Sequence, residues 1–429
     1  MVCCIYNSDI VNKNSKTTTI TAIDIGTYKI CTSVINFASN EGSDAIKIVN
    51  SCCRRTNGIR GGSIINLVNL TRSILETIIE IERQSQYQVK DVYISIPSQF
   101  TITKRKTKTF IFGGDIISEK YIQDFLSSAK KSSSSDLDVL HVFVIQYLID
   151  DRLEVQNPVG MSANKLKITV NIVYGATSFT KAVRRELKKQ NINILSFVLS
   201  QYSASLSTIS KEEKQEGATI IDIGYESTTI LCISEDNIQE IHSVDAGGNQ
   251  ITKNIASSLN MISEGDAEII KTTRAHATTE RYIYNMFANQ DDLVQYKTID
   301  KNNNIYVETV SIKKINSIVS GSIDNLFTKI SSALNDVKCR KALQRIIITG
   351  GGSKINGLHE FITSRRIFQG SIFRIGNPIN INGTTSSDIK TSSFASSAGL
   401  AIYAKHNKID NQDESQGFIA FLKNIFGSN

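Results

Sequence analysis

The 429-residue chain is poor in several things, and each shortage excludes something. Only 3 prolines rule out long polyproline linkers. Its 7 cysteines are odd in number, fall as two adjacent pairs (Cys3-Cys4, Cys52-Cys53) and three singles (Cys31, Cys232, Cys339), and never form C-x-x-C. Zinc-ribbon and thioredoxin spacings are therefore absent. No run of about 18 apolar residues exists to span a bilayer as a helix. The opening "MVCCIYNSDIVNKNSK" lacks a basic start followed by an apolar block, so a cytoplasmic protein with reduced thiols is expected. The formal charge of +7 is spread along the chain. Its one dense basic run, "TKRKTK" at Thr103–Lys108, sits in a β-like segment, where a solvated strand face is the commoner meaning; no nucleic-acid partner is expected.

What is present suits a globular protein: 40% apolar and 21% charged residues over a length that predicts two or more domains. "AIDIGTYKICTSVI" (22–35) reads as strand, turn, strand, and "IIDIGYESTTI" (220–230) repeats it. Residues 66–84 carry Leu67, Leu70, Ile74, Ile78 and Ile81 at helical spacing. "ISEKYIQDFLSSAKK" and the basic "SFTKAVRRELKKQNI" read as helices, while "DVYISIPSQFTITKRKTKTFIF", "HVFVIQYLIDD" and "KLKITVNIVYGA" read as strands. "LQRIIITGGGSKINGLHEFI" gives a buried strand, a triple-glycine turn and a helix. Two similar β-β-helix units, one opening each half, predict two related lobes facing a cleft.

Three stretches could cradle phosphate: Asp24-Ile25-Gly26-Thr27, Asp222-Ile223-Gly224, and Gly350-Gly351-Gly352 after an apolar strand. Glycine lets backbone N–H groups approach phosphate oxygens, and a carboxylate beside them can act on a hydrated Mg²⁺. One such turn is weak evidence, since many have no ligand. Three in this order are far more specific.

Their order resembles the actin–Hsp70–sugar-kinase ATPase superfamily, and within it the FtsA family of bacterial cell-division proteins. "SCCRRTNGIRGGSIINL", "HVFVIQYLIDDRLEVQNPVGMSANKLKITV", "VDAGGNQITKNIA", "DAEIIK", "FRIGNPININGT" and "SSFASSAGLAIY" match in order, across roughly residues 18 to 405. The Asn157-Pro158-Val159-Gly160 stretch is specific to this family, because it lies outside the shared ATPase core. The resemblance implies an α/β fold: a two-lobed, actin-like (ribonuclease H-like) core with an inserted small subdomain and a C-terminal amphipathic helix. Expected boundaries are a polar arm at 1–17, a first lobe at 18–86 and 166–209, and an SHS2-like (1C-like) insert at 87–165. The second lobe is expected at 210–250 and 326–405 with a small subdomain at 251–325, then a linker at 406–416 and the helix at 417–429.

ATP and Mg²⁺ are the implied cofactors. Asp24 and Asp222 match the two carboxylates that act on the metal through water. Gly26, Thr27 and Lys29 match the first phosphate turn, and Gly224 and Thr228 the second, where either Ser227 or Thr228 could supply a hydroxyl. Gly247 and Gly248 match the turn facing the nucleotide from the second lobe, Glu268 and Lys271 the adenosine-side helix, and Gly350, Gly351 and Gly352 the adenosine turn. The family's second hairpin usually reads Asp-Ile-Gly-Gly-Gly-Thr, where this chain has Tyr225, Glu226 and Ser227. A carboxylate about 4 Å from the γ-phosphate would cost roughly 4 kcal/mol at an effective dielectric of 20. Nucleotide binding is thus expected to be weakened, or altered in its choice of nucleotide, and turnover slow or absent. No catalytic residue is assigned; Gln201 is the one candidate for orienting water, although its spacing favours an ordinary helix-surface glutamine.

Phe418, Phe421, Leu422, Ile425 and Phe426 fall on one helical face, with Ile419 beside them. Thirteen residues make about 20 Å of helix, too short to cross a bilayer but able to lie in its interface. The resemblance implies a peripheral protein on the inner face of the cytoplasmic membrane at the division septum. It further implies self-assembly into actin-like filaments that anchor the FtsZ ring and recruit later divisome membrane proteins. Rival readings on the same core are a pilus-assembly actin homologue, a small-molecule kinase and a chaperone-like ATPase. The NPVG stretch and the apolar tail speak against the first, the tail against the second, and the roughly 25 residues after "GLAIYAK", too few for a substrate domain, against the third.

Overall fold

The two repeated hairpins lie at equivalent places in two sheets of the same strand order. A computed structural model describes residues 17–38, 46–131, 134–278, 292–299, 304–379, 381–383 and 387–410. In the first lobe, β1 (Thr17–Ile25) and β2 (Lys29–Ala38) form the hairpin and β3 (Ile46–Arg55) extends it antiparallel. A minute ribbon, β4 (Ile59–Arg60) and β5 (Ser63–Ile64), leads into α1 (Leu67–Ser85), which returns the chain to β6 (Asp91–Ile96), parallel to β1. Helix α1 forms where its spacing predicts. Asn66 caps it by accepting from the Asn69 N–H, and Leu70, Ile74, Ile78 and Ile81 are buried against the sheet. Each such burial contributes about 1.5–3 kcal/mol.

The chain then leaves the lobe. β7 (Thr101–Ile111), α2 (Glu119–Lys130), β8 (Leu137–Ile149), β9 (Leu153–Val155) and β10 (Lys165–Ala176) build a separate four-stranded sheet, ordered β7-β10-β8-β9, under α2. This sheet extends to Ala176, beyond the expected boundary at 165, because β10 spans its full width. The basic run lies on β7, an edge strand. Lys104, Lys106 and Lys108 stand opposite Ile172, Val170 and Ile168, on the face that α2 covers, and the Lys108 ammonium lies 4.7 Å from the Phe110 ring centre.

Helix α3 (Thr177–Lys188) and β11 (Asn193–Leu199) rejoin the first sheet beside β6. Through α4 (Ser200–Thr208) and α5 (Lys211–Glu216) the chain enters the second lobe. There β12 (Ala218–Ile223) and β13 (Thr228–Ser234) form the second hairpin, followed by β14 (Asn237–Val244), α6 (Gly248–Ser258) and α7 (Glu264–Thr273). A two-stranded ribbon, β15 (Leu293–Ile299) and β16 (Ile305–Ser311), and the long α8 (Ile312–Asn335) precede β17 (Arg345–Thr349), parallel to β12. After α9 (Leu358–Ser364) and β18 (Ile372–Ile375), β19 (Ile381–Gly383) crosses back to pair with β3. Helix α10 (Ala395–Asp410) packs Leu400, Ala401 and Ala404 on β1. The first sheet thus runs β11-β6-β1-β2-β3-β19 and the second β14-β13-β12-β17-β18: the same five-strand order twice, each on its own apolar core.

Two expectations change. Cys31 on β2 faces Cys53 on β3 directly across the ladder, Cα atoms 4.2 Å apart, and their sulfurs are joined; the thiols are therefore not all reduced. Cys52 and Cys232 are buried free thiols and Cys339 a partly exposed one. Residues 406–410, expected as the start of a linker, are helical, because α10 continues to Asp410. The expected apolar tail, with Phe418, Ile419, Phe421, Leu422, Ile425 and Phe426, lies outside the described residues. Among those described, no helix is long and apolar enough to cross a membrane.

Candidate functional site

Both hairpins turn in the same way. The Gly26 N–H donates to the Lys29 carbonyl at 3.0 Å, and the Gly224 N–H donates to the Ser227 carbonyl at 2.9 Å. A β-carbon at either glycine would sit 2.8 Å from that carbonyl oxygen, so the turn admits only glycine. Each hairpin ends a strand that has a parallel neighbour on one side, so Asp24 is in register with Ser95 of β6 and Asp222 with Thr349 of β17. The two sheets point these strand ends at one cleft of about 390 Å³.

Asp24, Gly26, Thr27, Lys29, Asp222, Gly224, Gly248, Glu268, Lys271, Gly350, Gly351 and Gly352 all line that cleft. Asp24 accepts hydrogen bonds from the Ser95 hydroxyl and, at 2.9 Å, from the Ser396 hydroxyl on α10. Asp222 accepts from Gln201 Nε2 at 3.1 Å. Both carboxylates line the cleft and are secluded from water. That seclusion, with the Asp24 charge facing it, pushes Asp222 up to about 6; seclusion likewise raises Asp24, against its two hydroxyl donors and Lys29. Gly350 adopts φ +86°, and a β-carbon there would fall 2.2 Å from Asp222 Oδ1.

Gln201 is not a surface residue. It is buried at the start of α4, lines the cleft, and keeps its Oε1 without a hydrogen-bond partner. A buried polar atom of this kind is costly unless something meets it. Two secluded carboxylates and an unpartnered amide oxygen form an all-oxygen donor set, which suits a hard divalent cation. Among the described residues no cluster of three or more His, Cys, Asp or Glu surrounds such an ion, so these groups would complete only part of its shell. That fits a hydrated Mg²⁺ carried on a phosphate chain.

Lys271 is already committed. Its ammonium donates to the Gly248 carbonyl, Thr252 Oγ1 and Glu268 Oε2 at 3.0, 2.9 and 2.7 Å, which accounts for its three protons. Desolvation lowers its pKa, against the pull of Glu268. Glu268 and Lys271 thus brace the start of α6 while forming one wall of the cleft. Gly247 does not line the cleft: it packs behind the second hairpin, where the Gly248 and Asn249 N–H groups donate to the carbonyls of Gly224 and Tyr225. Thr228 is buried with its hydroxyl spent on the Ala246 carbonyl, and Ser227 occupies the cleft-facing position instead.

Glu226 departs most from expectation. Its carboxylate does not face the cleft; it accepts from the Gly61 and Gly62 N–H groups of the first lobe at 2.9 and 3.0 Å. The repulsion expected from it is therefore removed. Tyr28 and Tyr225 meet across the cleft with ring centres 4.7 Å apart, which the sequence reading did not anticipate. Ser95 and Ser396 were missed too: they reach Asp24 only through strand register and helix docking, 71 and 372 residues away.

Two family descriptions match this chain: "Cell division protein FtsA" over residues 219–399 and "SHS2 domain inserted in FTSA" over residues 90–174. Together they span more than half of it. The "Cell division protein FtsA" of Buchnera aphidicola subsp. Schizaphis graminum is 25% identical, covering 97% of each chain. That of Pseudomonas aeruginosa is 22% identical over 92% of this chain and 91% of its own. Among solved structures, a PilM–PilN type IV pilus biogenesis complex aligns with a TM-score of 0.61 at 15% identity, covering 90% of this chain and 98% of the other. MreB 5 of Spiroplasma citri bound to AMPPNP aligns at 0.55 and 13% identity, covering 93% and 99%. These likenesses to solved structures show an actin-like two-lobed fold.

Proposed function

The chain belongs to the FtsA family of cell-division proteins, and from that premise we propose that it binds ATP with Mg²⁺ and assembles into actin-like filaments on the inner face of the cytoplasmic membrane. There it anchors the FtsZ ring at the septum and recruits later divisome proteins. One observation carries the nucleotide part: two duplicated hairpins bring Asp24 and Asp222 together at a cleft that a third glycine turn completes. Asp24 and Asp222 hold the hydrated metal, and Gln201 lines the same cleft with an amide oxygen that has no hydrogen-bond partner. Magnesium, when bound, neutralises phosphate charge and satisfies both carboxylates.

The chain's own groups do the rest. Gly26, Thr27 and Lys29 receive phosphate from the first lobe, and Gly224 and Ser227 from the second. Gly350, Gly351 and Gly352, with the wall formed by Glu268 and Lys271, take the adenosine side. The apolar tail at 417–429 seats the filament at the membrane, where many weak anchors add avidity. Purified full-length protein mixed with liposomes and FtsZ polymers should carry the polymers into the vesicle pellet. FtsZ that stays in the supernatant, with this chain bound to the vesicles, sinks the anchoring role.

A further inference from the structure

The tip of the second hairpin is spent on the opposite lobe. Tyr225 meets Tyr28, Ser227 Oγ accepts from Gln99 Nε2 at 2.5 Å, and the Ser98 and Thr229 hydroxyls lie 2.8 Å apart. Between these contacts, both oxygens of Glu226 sit on the Gly61 and Gly62 N–H groups. The receiving turn is shaped for an anion. Gly61 and Gly62 have φ of +57° and +69°, as a two-residue type I′ hairpin between β4 and β5 needs. Consecutive backbone N–H groups in such a turn make a concave oxyanion site. Its occupant is the Glu226 carboxylate, both oxygens of which are used there.

We propose that Glu226 is a built-in latch, which holds the lobes closed across the cleft in place of a ligand's terminal phosphate. The latch stands on the contacts alone; its consequence for ligand choice rests on the nucleotide reading above. A ligand shifts an open–closed equilibrium only by its differential affinity for the two states. Where a protein carboxylate already supplies the closing contacts, the third phosphate of a nucleoside triphosphate has little left to add. Mg-ATP and Mg-ADP then leave the open–closed balance nearly alike.

The test is amide hydrogen exchange at Gly61 and Gly62 in the full-length, nucleotide-free protein, comparing wild type with Glu226→Ala and Glu226→Gln. Exchange across 218–223 serves as the folding control, and the near-isosteric Gln variant serves if Ala unfolds. Wild type should exchange slowly with or without Mg-ATP, and the Ala variant about tenfold faster or more, since two charge-assisted hydrogen bonds are lost. Equal rates in wild type and variants, or protection that appears in wild type only after Mg-ATP is added, would overturn the latch. Failure of the nucleotide reading looks different: neither Mg-ATP nor Mg-ADP is retained, while Gly61 and Gly62 stay protected.

Discussion

Asp222 carries the most consequential charge in the molecule. Its carboxyl is raised from 3.8 to about 6, chiefly by seclusion from water. A folded value above the unfolded one means that the neutral form is favoured in the native state without ligand. Its contribution to stability is therefore full below about pH 4 and lost as pH rises through about 6. Asp222→Asn should raise the melting temperature of the ligand-free protein at pH 7.5 and leave it little changed at pH 4, by calorimetry. The Mg²⁺-dependent nucleotide binding proposed for this site would use the ionised form, so in wild type it should weaken from pH 7.5 to 5.5 more steeply than any residual binding by the Asn variant. Gly350→Ala places a methyl against Asp222 Oδ1 at a φ of +86°, and should cost about 1–3 kcal/mol in denaturant unfolding. At this scale the sequence was most legible where a role depends on near neighbours. Asp24, Gly26, Asp222 and Gly224 owe their places to a strand-turn-strand pattern a few residues long. Glu226 and Thr228 were misjudged because their partners decide their direction: Gly61 and Gly62 lie some 165 residues from Glu226 in the chain, and Ala246 is placed by the packing of α6.

Among the elements, α1 was readable almost to the residue, because one apolar face at helical spacing leaves a single way to bury it. The basic strand β7 was readable as a strand but not as an edge. Exposed lysines on an edge strand are a known means of blocking pairing with another chain. Replacing Lys104, Lys106 and Lys108 together with Val should leave the sheet intact and produce concentration-dependent aggregation, followed by light scattering. Unchanged scattering would show that these lysines do not guard the edge. The membrane role proposed for residues 417–429 stands on their sequence pattern. Deleting residues 417–429 should release the protein from liposomes without changing its melting temperature, and undiminished co-sedimentation would contradict a membrane role for that segment.

At the scale of the whole molecule, the duplication was visible as two copies of Asp-Ile-Gly, and it emerges as two sheets of matching strand order. The cleft follows from that symmetry. Its inner furnishing does not, because Ser396, Gln201 and Tyr28 arrive from α10, α4 and the first hairpin, and only docking of the lobes brings them together. At the tip of the second hairpin, Glu226 turns to the Gly61 and Gly62 N–H groups of the first lobe rather than into the cleft. The most direct measurement is equilibrium binding of a fluorescent ATP analogue to the full-length protein, with and without Mg²⁺, followed by phosphate release from the same sample. Binding that requires Mg²⁺, with little or no phosphate released, is the expected result. No binding at any Mg²⁺ concentration would contradict the nucleotide site.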